Sequence, residues 1–179
     1  MNVCIISFSS RKNGNCAKIS EYIKSLYPKA KRYSFSDFSI HGCGNCMCQC
    51  FKNGDKCPFV RDKEREVLDA ITNSDLSIFV VPNYCDYPCS NYFAFNERSI
   101  CYFRKNESLL NKYLYAKKKF IVVSNSNRDN FTHVFSYQTV DAPEILFLAS
   151  YEYGKDSVAG DLPTSDVAME NVRNFVLKN

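Results

Sequence analysis

Apolar positions along this chain alternate between two rhythms. Residues 2–8 form a near-continuous apolar run, Val3 to Phe8 broken only by Ser7, as expected of a strand buried on both faces. Helical spacing follows over about 15–26, where Ile19, Ile23 and Leu26 recur. A second strand is expected at 30–35, where Lys31, Tyr33 and Phe35 alternate with Arg32 and Ser34. Val67, Leu68 and Ile71 place a helix over about 62–73, with Asp62 as its cap. The run LSIFVV at 76–81 reads as a third buried strand, ended by Pro82. Residues 120–123 and 145–149 supply two more strands. A last helix starts near Thr164 or Ser165 and carries Val167, Ala168, Val172, Phe175 and Val176. Strands alternating with helices predict a doubly wound, five-stranded parallel sheet with helices on both faces. One domain over 1–179 is expected, interrupted by a cysteine-rich loop at about 41–60.

In such a sheet ligands sit at the carboxyl ends of the strands, where the strand order reverses. The first strand runs into Ser9-Ser10-Arg11-Lys12-Asn13-Gly14-Asn15-Cys16 and then into a helix start. Free amides at that start, the hydroxyls of Ser9 and Ser10 and the charge of Arg11 suit an anion. Gly14 allows the backbone to approach it closely. Neither the spacing of a nucleotide-triphosphate loop nor that of a dinucleotide turn is present, so a single phosphate is expected. After the third strand, Pro82-Asn83-Tyr84-Cys85-Asp86-Tyr87 offers flat faces and polar groups for a planar ring.

The 179 residues, 45% of them hydrophobic, suffice for a substantial core. No apolar run is long enough to span a bilayer, and the short apolar start reads as a strand rather than a signal peptide. A net charge of +4 is spread among acids, with no basic stripe to suggest nucleic acid. Half of the ten cysteines, Cys43, Cys46, Cys48, Cys50 and Cys57, fall in one short loop. Without a secretory signal, that clustering suggests metal or redox work. Cys43 and Cys46 share C-x-x-C spacing, and the set Cys43, Cys46, Cys50, Cys57 provides four thiolates for a [4Fe-4S] cluster or a tetrahedral zinc. Free or redox-active thiols are the third reading. Cys4 reads as core filling; Cys85, Cys89 and Cys101 lie in an aromatic segment that reads as core or interface. His41 and His133 have no assigned partner, and no Ser/His/Asp set suggests hydrolysis.

The pieces SSRKNGNC, CGNCMCQCFKNGDKC, SDLSIFVVPNY and FAFNER, in that order, resemble the NAD(P)H-dependent FMN reductases and iron-sulfur flavoproteins of the flavodoxin-like fold. The resemblance is strong over about 1–100 and thin beyond. It implies strand order 2-1-3-4-5 and an FMN phosphate loop at Ser9, Arg11, Asn13, Gly14, Asn15 and Cys16. It also implies a ring-bordering loop at Pro82, Asn83, Tyr84, Cys85 and Asp86, and a third flavin loop represented by Ser124 and Asn125. Within the phosphate loop three positions depart from the family pattern, Phe8 standing for its first glycine, Ser10 for its proline and Cys16 for its Thr or Ser, and Asn96-Glu97-Arg98 stands where the family has an aspartate-arginine pair. A thiol is the weaker hydrogen-bonding group.

The function implied is an FMN-dependent oxidoreductase that takes hydride from NADH or NADPH and passes electrons to a flavin, quinone or other small acceptor. No catalytic side chain is required of the protein. An electron carrier holding FMN and a [4Fe-4S] cluster is the alternative, and a flavin-free thiol or zinc sensor is a third. A cytoplasmic homodimer, without nucleic-acid or membrane partners, is expected. Gly154 and the turn Ala159-Gly160-Asp161 are read as a flexible lid.

Overall fold

The computed structural model describes residues 1–52, 57–124 and 129–178. Its centre is a parallel sheet of β1 (Val3–Ser7), β2 (Lys31–Ser34), β3 (Leu76–Tyr84), β5 (Lys117–Ser124) and β6 (Glu144–Ala149), in the order β2-β1-β3-β5-β6. The expected order 2-1-3-4-5 is therefore borne out. One strand was not foreseen: β4 (Tyr87–Pro88) pairs antiparallel with the end of β3.

Strand alternation divides the core in two. Val3, Ile5, Ile78, Val80 and Ile121 face α1 (Asn15–Leu26) and α7 (Asp166–Leu177), meeting Ile19, Ile23, Ala168, Val172 and Val176. Cys4, Ile6, Phe79, Phe120 and Val122 face the other layer, formed by α3 (Glu64–Thr72), α4 (Ser90–Phe103), α5 (Glu107–Tyr115) and α6 (Asp129–Phe135). A short α2 (Gln49–Lys52) lies in the cysteine-rich loop.

The aromatic segment is α4, and Tyr92, Phe95 and Phe103 from it are buried, so the core reading of this segment holds. Helices α4, α5 and α6 were not anticipated, because their aromatic and polar residues do not give a clean apolar stripe. The α3 helix is entered through Lys63, and of the helix amides Asp62 accepts from that of Glu64, at 3.3 Å. The main partner of Asp62 is Arg98.

Pro82 does not end β3. In a parallel ladder each residue directs both backbone groups to one side, and the Val80 carbonyl accepts from Phe8 on the β1 side. Pro82, two residues on, faces that same side just past the end of β1. Its missing N–H leaves the Phe8 carbonyl, the next acceptor along the ladder, to Asn91 Nδ2 and the Cys89 thiol.

Candidate cofactor site

The loop after β1 and the N-terminus of α1 form one wall of a cavity of about 250 Å³ at the carboxyl ends of β1 and β3. Ser9, Arg11, Gly14, Asn15 and Cys16 line it from the loop, and Pro82, Asn83 and Tyr84 from β3. Eight of the residues expected from sequence are thus brought together. Asn13, Cys85 and Asp86 lie outside the lining; Ser124 ends β5. Asn125 lies outside the described residues. Val123, Ser157 and Val158 line the cavity without having been foreseen.

Each wall has a local cause. Gly14 sits at the N-cap of α1, where an added Cβ would lie 3.1 Å from the Arg11 Cβ. With no capping side chain, the first amides of α1 are left without an intrahelical acceptor. Asn15 is only 4% exposed; its Oδ1 accepts from the Leu162 amide at 3.0 Å, while its Nδ2 has no partner. An unpaired buried donor is costly unless something binds it. Among the described residues no carboxylate lines the cavity, and Arg11 supplies the one formal charge.

Phe8 occupies the position of the family's first glycine because it belongs to the core. Its ring lies 5.0 Å from Phe35 and 5.2 Å from Tyr92. Asn91 Nδ2 and the Cys89 thiol both donate to the Phe8 carbonyl, and Asn91 also donates to Ser10 Oγ, so α4 braces the loop from behind. Burial pushes the Cys16 thiol well up, which keeps it neutral beside an anion.

The ring-bordering segment is a hairpin. Tyr84 pairs with Tyr87, and the two residues between them, Cys85 and Asp86, both have left-handed φ, 53° and 66°. That conformation matches a two-residue primed turn. Asn130 Nδ2 donates to the Asp86 carbonyl and ties the hairpin to α6.

The expected lid is a braced strap. Arg11 donates to the carbonyls of Ser157 (3.3 Å) and Val158, and Lys18 Nζ to that of Gly160 (2.7 Å). Within the strap, Asp156 Oδ1 accepts from Val158 and Asp161 Oδ1 from Asp156. Gly160 has φ +69°, and a Cβ there would lie 2.8 Å from the Asn13 carbonyl oxygen.

The cysteine-rich loop is held apart from this cavity by a buried ion cluster. Arg98 of α4 contacts Asp62, donates to Glu64 Oε2 at 2.9 Å and to the carbonyls of His41 and Phe59, and reaches Cys57 Sγ at 3.6 Å. Burial alone would raise the Asp62 carboxyl, but hydrogen bonds from Arg98 and His41 outweigh it and hold the group low. Burial pushes Glu64 up to about 8 despite the guanidinium. The sensible charge state is one guanidinium, one carboxylate and one protonated Glu64. His41 has partners after all: it stacks on Phe59 at 4.1 Å and lies 3.3 Å from Asp62.

Cys46, Cys50 and Cys57 are buried, and Cys43 and Cys48 exposed. Among the described residues no three Cys, His, Asp or Glu side chains are placed to hold a metal ion. Cys50 instead meets Cys101, a residue the loop spacing could not reveal. In this arrangement Cys43, Cys46, Cys50 and Cys57 are not gathered into one metal site.

A doubly wound parallel sheet with a cavity at the carboxyl ends of its central strands is the arrangement of a flavodoxin-like protein. The profile of the NADPH-dependent FMN reductases matches residues 1–133, and the chain belongs to that family. An iron-sulfur flavoprotein of Clostridioides difficile (strain 630) is 30% identical over 133 residues, which cover 71% of this chain and 55% of that protein. The chain thus spans about half the length of that curated relative. The Trp repressor binding protein of Bacillus subtilis superposes with a TM-score of 0.65 at 13% identity, covering 99% and 98% of the two chains. An FMN-dependent NADH-azoreductase of Bacillus anthracis, solved with FMN, gives 0.62 at 11%, covering 97% and 99%. At such identities these two structures show a shared fold.

Proposed function

We propose that this chain is an FMN-dependent NAD(P)H oxidoreductase that reduces a small-molecule acceptor. The observation that carries the reading is a cavity lined by Arg11, by the open N-terminus of α1 and by Asn15, whose buried Nδ2 has no partner among the described residues. Those groups fit a phosphate monoester. At about 250 Å³ the cavity lies below the roughly 300–1,000 Å³ that whole small molecules fill, so it suits the phosphate end of a longer ligand.

When bound, FMN supplies the redox chemistry, accepting hydride from a nicotinamide and releasing electrons to the acceptor. The protein's part is to bind and orient. Asn15, Ser9 and the first α1 amides hold the phosphate, Arg11 neutralises it, and the Ser157–Val158 strap screens it from water. Pro82, Asn83 and Tyr84 border the remainder of the ligand. No side chain is required to move a proton. The family and the absence, among the described residues, of a helix long and apolar enough to cross a membrane support a cytoplasmic setting. A homodimer belongs to the same proposal, and the mass of the purified chain by light scattering tests it.

The test is titration of the ligand-free chain with FMN and, separately, with riboflavin, followed by anaerobic addition of NADH or NADPH. FMN is expected to bind at least about tenfold more tightly than riboflavin, a difference of ~1.4 kcal/mol, and to bleach on reduction. Equal affinities, or no bleaching with either nicotinamide, would overturn the proposal.

A further inference from the structure

Outside the cofactor site, the most distinctive chemistry is the contact between Cys101 of α4 and Cys50 of α2. Cys101 Sγ donates to Cys50 Sγ across 3.2 Å. That is closer than the roughly 3.8 Å that separates two sulfurs on one tetrahedral zinc with ~2.3 Å bonds. The contact joins residues 51 positions apart. Arg104, just past α4, donates to the Cys50 carbonyl at 2.8 Å and lies over the Phe51 ring at 4.1 Å. Arg98, one turn before Cys101, pins the other end of the loop through Asp62, Glu64 and Phe59. The approach of the two sulfurs is therefore set by the surrounding fold and not by one side chain's choice of rotamer.

We propose that Cys50 and Cys101 form a reversible dithiol–disulfide site whose oxidant is a low-molecular-weight disulfide. Closing the bond takes the sulfurs from 3.2 Å to about 2.0 Å. Cys50 is buried and Cys101 half-buried, so the small disulfide enters at Cys101. The Cys101 sulfur, having given up its proton, attacks one sulfur of the oxidant, whose S–S bond breaks and releases one small thiol. Cys50 then attacks Cys101 in the mixed disulfide, loses its own proton, and releases the second small thiol. Two protein thiols are oxidised, one small disulfide is reduced, and two protons pass to the two small thiols.

The consequence is chemical exclusion. In the disulfide form Cys50 is withdrawn from any thiolate set with Cys43, Cys46 and Cys57, so oxidation and metal loading at Cys50 compete.

The test equilibrates the full-length purified chain across mixtures of oxidised and reduced glutathione, quenches with acid, alkylates free thiols and locates disulfides by tandem mass spectrometry. The first intramolecular disulfide is expected to join Cys50 and Cys101. In Cys101→Ser, Cys50 should remain fully alkylatable at mixtures where the unaltered chain protects it, while Cys48→Ser should behave like the unaltered chain. Circular dichroism checks that both variants fold; should Cys101→Ser not fold, the mapping on the unaltered chain decides. A first intramolecular disulfide between any other pair, or free Cys50 and Cys101 throughout, would overturn the proposal.

Discussion

Asn15 carries two roles in one amide, and they can be separated. Its Oδ1 holds the Leu162 amide of the strap, and its Nδ2, on a residue that lines the cavity, is a buried donor with no partner among the described residues. Asn15→Asp keeps the acceptor and puts a negative charge where the donor was. FMN affinity is expected to fall at least about tenfold, while riboflavin affinity stays within about twofold. Isothermal titration with both ligands checks this; an equal loss for both would mean that Asn15 does not face the phosphate. Glu64 makes a second residue-scale case. Its folded-state value, about 8 against an ordinary 4.5, is raised by burial. A raised value stabilises the fold fully below the unfolded value and loses that contribution as pH rises through the folded one. Stability should therefore decline between about pH 5 and 8 on this account. Glu64→Gln, which mimics the protonated acid, should flatten the decline in urea midpoints across that window. An unchanged slope would show that Glu64 is already ionised beside Arg98.

At the level of elements, the strap depends on one backbone position. Gly160 combines a left-handed φ with a 2.8 Å approach to the Asn13 oxygen, so Gly160→Ala must push the strap off the loop. A cost of about 1–3 kcal/mol in urea unfolding is expected, together with weaker FMN binding. Loss of stability without loss of binding would free the strap of any role at the site. This is also the scale at which legibility from sequence changes. The apolar runs at 3–8 and 76–81 and the loop between Ser9 and Cys16 announce themselves, because a buried parallel strand and a helix start each leave a local signature. Ser157 and Val158 are tied to the cavity wall by backbone carbonyls that accept from Arg11, which no residue type encodes. Cys101 joins the cysteine-rich loop only because α4 runs past α2, a tertiary fact absent from the C-x-x-C spacing. Phe8 looked like a flaw in a phosphate loop and proves to be a core residue, since its ring points into the aromatic cluster while its backbone shapes the loop.

For the molecule as a whole, the cavity joins pieces far apart in sequence: the β1–α1 loop, the end of β3 and the strap before α7. A ligand bridging them must stabilise the native state as a unit, because none of the three pieces forms the site alone. Ligand present at about 100 times its dissociation constant adds ~2.7 kcal/mol to the native state. In a chain of 179 residues that corresponds to a rise in Tm of roughly 5–10 °C. Differential scanning fluorimetry with FMN should show this shift, with a smaller one for riboflavin at equal concentration and almost none for FMN with Asn15→Asp. Inorganic phosphate at millimolar concentration should give a small part of the FMN shift and weaken it by competition. If FMN leaves the Tm unchanged while phosphate raises it, the cavity is an anion site without a flavin, and the oxidoreductase reading fails while the geometry of the site stands.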